Sequence, residues 1–372
     1  MPTDPLLAPM SGNGARARKA VSLDTYRLLG RSGLRVSPLA LGTMTFGSDW
    51  GWGADDAECE RMLDVYLDRG GNFIDTANAY TNGSAERILG ELMKSRRDRL
   101  VIATKYTMTT DPGDPNAGGN HRKSMMRAVE GSLRRLRTDY IDLLYLHAWE
   151  ATTPVEEVLR GLEDLVHSGK VLYAGISDTP AWQVSRMQAI AGVRGWAPLI
   201  ALQIEYSLLE RTVERELIPM AAEMGLGVVP WSPLGSGVLT GKYSRADLDA
   251  GGGEARASGT RKNVAAANGA LTERGLDIAD VVKEVAGALG VSPARVALAW
   301  TLLNPAVTSS IVGARTIAQL EDNLGALAVS LEDDQIARLG KASAIELGFP
   351  HEFLRRPLLL RTLLGDVTIA GR

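Results

Sequence analysis

One cysteine, Cys59, occurs in 372 residues, so no intramolecular disulfide can form, and a reducing, cytoplasmic setting is expected. Cys59 falls in a helical stretch and reads as ordinary packing. Histidine is nearly as scarce. Apart from His147, the chain has His121 and His167 on expected helices and His351 near the C-terminus. None stands at metal-ligand spacing from another His or Cys, so no metal is expected. Neither sign of charge dominates: 41 Lys and Arg against 44 Asp and Glu leave a net charge of −3. That balance gives no global reason to expect nucleic acid or an anionic membrane as a partner. No apolar run approaches the roughly 18 residues of a membrane span. Residues 1–25 lack the apolar core of a secretory signal and read as a mobile leader.

What the chain does have is a hydrophobic fraction of 45%, enough for one large α/β domain or two ordinary ones. Tyr26 to Gly30 and Leu34 to Pro38 flank Arg31-Ser32-Gly33 at a spacing that suits a short hairpin, of a size to plug one end of a barrel. Eight apolar runs follow, at Leu39–Met44, Gly71–Asp75, Leu100–Lys105, Tyr140–His147, Val171–Ser177, Leu199–Gln203, Leu226–Trp231 and Val307–Val312. Between them lie stretches of helical periodicity, among them Ala54–Arg69, Glu86–Lys94, His121–Leu136 and the stretch opened by Thr153-Pro154. Thr179-Pro180 opens another helix, and Glu214–Met224 follows it. A glycine-rich insertion from Ser232 to about Leu276, with Gly251-Gly252-Gly253, precedes helices at Ile278–Leu289 and Pro293–Leu303. Two more, Ile317–Leu327 and Glu332–Lys341, close the pattern. Strands alternating with helices at a βα interval favour a (β/α)8 barrel over a doubly wound sheet. The expectation is an α/β chain with a barrel over residues 26–345, an N-terminal β-hairpin, extra C-terminal helices and a tail at 346–372.

In such a barrel the C-terminal ends of the strands meet at one face, where an active site is expected. Asp75, Lys105 and His147 close three successive apolar runs, and Tyr80 follows Asp75 on the exit loop. Singly, each reads as a hydrogen-bonded strand-end residue. Together they form a proton-donating set: Asp75 fixes the Lys105 ammonium, and Lys105 is expected to lower a phenol pKa of about 10. Tyr80 then donates a proton to a carbonyl oxygen that His147 holds in line. The loop after the first strand carries Phe46, Trp50 and Trp52 among glycines, and Trp149 lies two residues past His147. These four are candidate walls of a substrate pocket.

This constellation resembles the aldo-keto reductase superfamily, whose Asp, Tyr, Lys and His fall on the same strand ends. The likeness runs from Tyr26 to about Leu324. Gly70-Gly-Asn-Phe-Ile-Asp-Thr-Ala-Asn-Ala-Tyr80 and Gly119-Asn-His-Arg-Lys-Ser-Met are most similar to the aryl-alcohol dehydrogenase group. The resemblance implies NADP(H) as cofactor, held by Gly42, Thr43, Met44 and Asp75 and by Ser177, Gln203 and Trp231 at the nicotinamide. Ser232, Leu234 and Lys242 would serve the pyrophosphate, and Gly313, Arg315, Gln319, Asp322 and Asn323 the adenosine 2′-phosphate and adenine. Trp231 offers a flat face for stacking or, equally, a core contact. Where many members carry Ser-Asn, this chain has Ser177-Asp178, which leaves Asp178 as either a cofactor contact or the cap of the next helix. The implied activity is reduction of an aromatic or apolar aldehyde or ketone, or the reverse, on a small-molecule carbonyl or alcohol. The alternatives are a reductase of a nucleotide-sugar or polyketide intermediate, and a cofactor-sensing subunit like the potassium-channel β subunits.

Overall fold

The computed structural model describes residues 21–248, 261–365 and 367. Most of the expected leader, the Gly251-Gly252-Gly253 run and the last residues of the tail lie outside the described residues. The first strands among the described residues, β1 (Arg27–Leu28) and β2 (Arg35–Val36), pair antiparallel as a hairpin. Eight parallel strands follow: β3 (Leu39–Gly42), β4 (Phe73–Asp75), β5 (Val101–Tyr106), β6 (Ile141–Leu146), β7 (Val171–Ser177), β8 (Leu199–Glu205), β9 (Gly227–Trp231) and β10 (Ser310–Gly313). They pair in chain order, with β10 returning to lie beside β3. A bridge between Val228 and Val307, and the bond from Thr308 N to Val228 O, bring the segment before β10 against β9 and close the ring. The expected (β/α)8 barrel with its N-terminal hairpin is the fold.

Side chains alternate along each strand, and the two sets enter different cores. Ala40, Phe73, Ala103, Leu143, Tyr145 and Val229 fill the barrel together with Leu29 and Val36 of the hairpin segment. Leu39, Leu41, Ile74, Ile102 and Leu144 pack outward against the helices. The outer layer contains α1 (Asp56–Asp68), α2 (Ser84–Leu92), α3 (Arg122–Leu136), α4 (Val155–His167), α5 (Ala181–Arg194) and α6 (Leu217–Met224). After β9 come α7 (Arg261–Ala267), α8 (Glu273–Leu289), α9 (Pro293–Thr301), α10 (Ile317–Leu324), α11 (Asp333–Ala342), α12 (His351–Leu354) and α13 (Pro357–Leu364). The hairpin turn needs glycine at Gly30: its φ is +56°, and a Cβ there would lie 2.2 Å from Ile200 O and 2.6 Å from Gly225 O.

Two differences from the sequence reading have local causes. The insertion is structured in part, because Thr272 caps α8 by accepting from Gly275 N, and so starts that helix five residues before Ile278. The eighth strand is shorter than expected, since Val307 makes only an isolated bridge. No helix among the described residues is long and apolar enough to cross a membrane.

Candidate active site

The loop that carries Tyr80 is held in an unusual shape. Tyr80 opens a short 3₁₀ turn in which Thr81, Asn82 and Gly83 all have positive φ, at 43°, 53° and 86°. A β-branched residue adopts that region at a penalty. Thr81 is fixed there because its hydroxyl donates to Phe46 O at 2.8 Å and accepts from Ala85 N at 3.0 Å. The turn places Tyr80 Oη 3.2 Å from Lys105 Nζ, which also donates to Asp75 Oδ1 at 2.5 Å and Thr76 O at 2.8 Å. All three donor positions of the ammonium are thereby used. Because Lys105 donates to the phenol oxygen, the phenol's own hydrogen is turned away from it. The second Asp75 oxygen accepts from Gln203 Nε2 at 2.8 Å, and Thr43 holds the Asp75 carbonyl through both its amide and its hydroxyl. His147 stands edge-on to Tyr80, with ring centroids 5.9 Å apart at 75°.

Burial dominates the electrostatics. It raises the Tyr80 phenol above its ordinary value, and Lys105 opposes this without reversing it. The expectation that Lys105 would bring the phenol below its usual pKa is therefore corrected: Tyr80 is a protonated phenol at neutral pH. Burial also works against the Lys105 ammonium, but Asp75 and Tyr80 outweigh it and its pKa is raised. Burial, aided by the Lys105 charge, lowers His147 to about 3, so its imidazole is neutral. Its Nδ1 is buried without a hydrogen-bond partner, as is Ser177 Oγ.

Above this group opens a cavity of about 620 Å³. At its inner end lie Gly42, Met44, Asp75, Tyr80, His147, Ser177, Gln203 and Trp231, and farther along it Ser232, Leu234, Lys242, Gly313, Arg315, Gln319, Asp322 and Asn323. Gln319 Oε1 accepts from Arg315 N at 2.9 Å, which leaves its amide NH₂ as a donor. The Asp322 carboxylate is already engaged, accepting from Arg295 Nε at 2.8 Å and from Ser292 Oγ at 2.7 Å.

Thr43 and the four aromatics named from sequence do not line this cavity. Phe46 is fully buried in the outer core, because its loop folds back through a bridge to Ala54 and a bond from Phe46 N to Thr43 O. It supports the Tyr80 turn through its carbonyl and is no pocket wall. Trp50 and Trp52 pack on each other with centroids 5.7 Å apart. Trp149 packs against the outer core and donates its N–H to Asp178 O at 3.2 Å. Asp178 is not a helix cap, since α5 has no side-chain cap; its Oδ1 accepts from Trp231 Nε1 at 3.0 Å.

Sequence reasoning did not find Ser236, Thr240, Val264 and Asn268, which also line the cavity. They come from the insertion, which shows no periodicity. It also missed Ser292 to Ala294, where Ser292 caps α9 by accepting from Arg295 N at 3.3 Å. A Ser-Pro cap was the available signal. No group of three or more His, Cys, Asp and Glu among the described residues is placed to hold a metal.

Residues 38–344 match the Aldo/keto reductase family. The norsolorinic acid reductase of Aspergillus flavus is 38% identical over 347 residues, covering 89% of this chain and 84% of its own length. The aryl-alcohol dehydrogenase [NADP(+)] of Phanerodontia chrysosporium is 38% identical over 338 residues, 86% of each chain. An uncharacterised oxidoreductase of Bacillus subtilis, YrpG, is 41% identical over 324 residues, 84% of this chain and 94% of its own.

Proposed function

The chain belongs to the aldo/keto reductase family, and from that premise we propose that it is a cytoplasmic, NADP(H)-dependent reductase of an aromatic or otherwise apolar aldehyde or ketone, reversible with the alcohol. The observation that carries this reading is the Tyr80 phenol at the floor of the cavity, with Lys105 on its oxygen and its own hydrogen free for an acceptor. The cavity residues suit the cofactor. Ser177 Oγ, buried and unpartnered, fits a carboxamide, and Arg315 with the Gln319 amide fits a 2′-phosphate. Arg315 has no side-chain partner among the described residues that would compete for it. The relative from Phanerodontia chrysosporium, named for an aryl alcohol and NADP(+), supports both halves of the proposal.

The chemistry NADPH supplies when bound is a hydride for the carbonyl carbon. The chain's own part is to deliver the proton. The neutral His147 and the Tyr80 hydroxyl hold the carbonyl oxygen between them, and as negative charge develops there Tyr80 Oη releases its proton to it. Lys105 stabilises the resulting phenolate at 3.2 Å, and solvent restores the proton. Asp75 keeps Lys105 charged and in place.

Tyr80→Phe removes one hydroxyl and little volume, so it tests this assignment. Single-turnover NADPH oxidation with saturating aldehyde should fall by about 10²-fold or more while NADPH binding survives. Equal rates would remove Tyr80 from the mechanism. A panel of aryl aldehydes together with norsolorinic acid would separate a general aryl reductase from a chain with the substrate of its Aspergillus relative. Tight NADPH binding without turnover of any carbonyl would instead indicate a cofactor-sensing subunit.

A further inference from the structure

We propose that Asp178 sets the preference of this cavity between the two oxidation states of its cofactor, its carboxylate stabilising the positively charged ring of NADP⁺ over the neutral ring of NADPH. The inference rests on the cofactor reading above and deepens it. Asp178 lines the cavity beside Ser177, Gln203 and Trp231. Its backbone leaves it little freedom: φ is +40°, its N–H donates to Gln203 O at 3.2 Å, and its carbonyl accepts from Trp149 N at 3.2 Å. The residue therefore sits on a rigid strand end, where a fixed charge acts with little reorganisation.

The charges at that end of the cavity do not cancel. Asp75 is matched by Lys105 at 2.5 Å, His147 is neutral and Tyr80 keeps its proton. The Asp178 carboxylate forms no ion pair among the described residues; its hydrogen-bond donors, led by the Trp231 indole at 3.0 Å, are neutral. Asp178 keeps an exposed surface in the cavity lining, and desolvation by its neighbours raises its pKa against the opposing pull of the Trp231 N–H and of Lys105. A negative charge without an ion-pair partner thus lines the part of the cavity where a pyridinium ring would gain or lose its positive charge. An asparagine there would offer the same acceptor to Trp231 and no charge.

The test is binding, not turnover. NADPH is titrated by fluorescence and NADP⁺ by calorimetry against the wild type, Asp178→Asn and Asp178→Ser, at about pH 8, well above the ordinary carboxyl range. Asp178→Asn should weaken NADP⁺ by about tenfold while NADPH changes by about twofold at most. Asp178→Ser, which also removes the Trp231 acceptor, should weaken NADP⁺ at least as much. An unchanged ratio of the two dissociation constants in Asp178→Asn, or equal weakening of both forms, overturns the inference and leaves the cofactor reading standing. Failure of the wild type to bind either form overturns both.

Discussion

On the proposed function, Arg315 is the residue on which cofactor choice turns. It follows β10 on the rim of the cavity, its backbone N–H is tied to Gln319, and its guanidinium is left to meet a doubly charged group. Arg315→Ala should raise the NADPH dissociation constant by about tenfold or more and alter NADH far less, since a charge-assisted contact contributes about 1.5–3 kcal/mol. Titration of both cofactors would check it, and an equal loss for both would move the discrimination elsewhere. At this scale the sequence was legible where chemistry demands a particular side chain at a strand end, as at Asp75, Lys105 and His147. It misled where bulk was taken for function. Phe46 has the size of a pocket wall, but only the fold of its loop decides which way the ring goes. The resting pKa of Tyr80 was likewise out of reach, because the depth of burial that raises it is a property of the assembled barrel.

Between residues and the whole molecule lie the loops that aim the site, and the one after β5 is fastened from outside. Thr107 holds φ +106°, a rare value for a β-branched residue, while its hydroxyl accepts from His147 N at 3.2 Å and donates to Asn120 Oδ1 at 2.9 Å. Asn120 N donates in turn to Glu150 Oε1 at 3.2 Å, and Glu150 also accepts from Thr152 N at 2.7 Å and from the hydroxyls of Thr152 and Thr153. Burial works against the Glu150 carboxylate, but these donors prevail and lower its pKa to about 2. Glu150→Ala should therefore lose about 1–3 kcal/mol and speed amide exchange at Asn120 and His147. Because the folded pKa lies below the ordinary 4.5, the clamp contributes fully above that pH and is lost as pH falls from there towards 2. Unchanged exchange at Asn120 would show that the loop holds without it. The clamp left no sequence signal, since it joins two loops thirty positions apart in sequence. The strands and helices themselves were legible from periodicity, and the insertion after β9 was not, because α7 is brief and the turns around it have no repeat.

Across the whole molecule, two half-buried groups pull stability against pH in opposite directions. His147 refuses a proton in the fold down to about 3 but takes one near 6.5 when unfolded, so it makes stability rise with pH across that window. Glu205, at the end of β8, is raised to about 7 by burial and by its neighbours Glu210 and Asp178, against 4.5 when unfolded, so it makes stability fall as pH climbs through that range. The two slopes oppose each other between 4.5 and 6.5. Glu205→Gln, which stays neutral throughout, should raise Tm by about 1–4 °C at pH 8 and leave it unchanged at pH 4.5. Equal shifts at both pH values would sink the argument. The hairpin under the barrel has a consequence of another kind. With Leu29 and Val36 packed into the lower core and the Gly30 turn pressed onto the carbonyls of Ile200 and Gly225, the hairpin plugs that end of the barrel. On the proposed function, both reactants enter and both products leave by the end of the barrel opposite that plug, and the pace of a full cycle is then governed by departures as much as by chemistry.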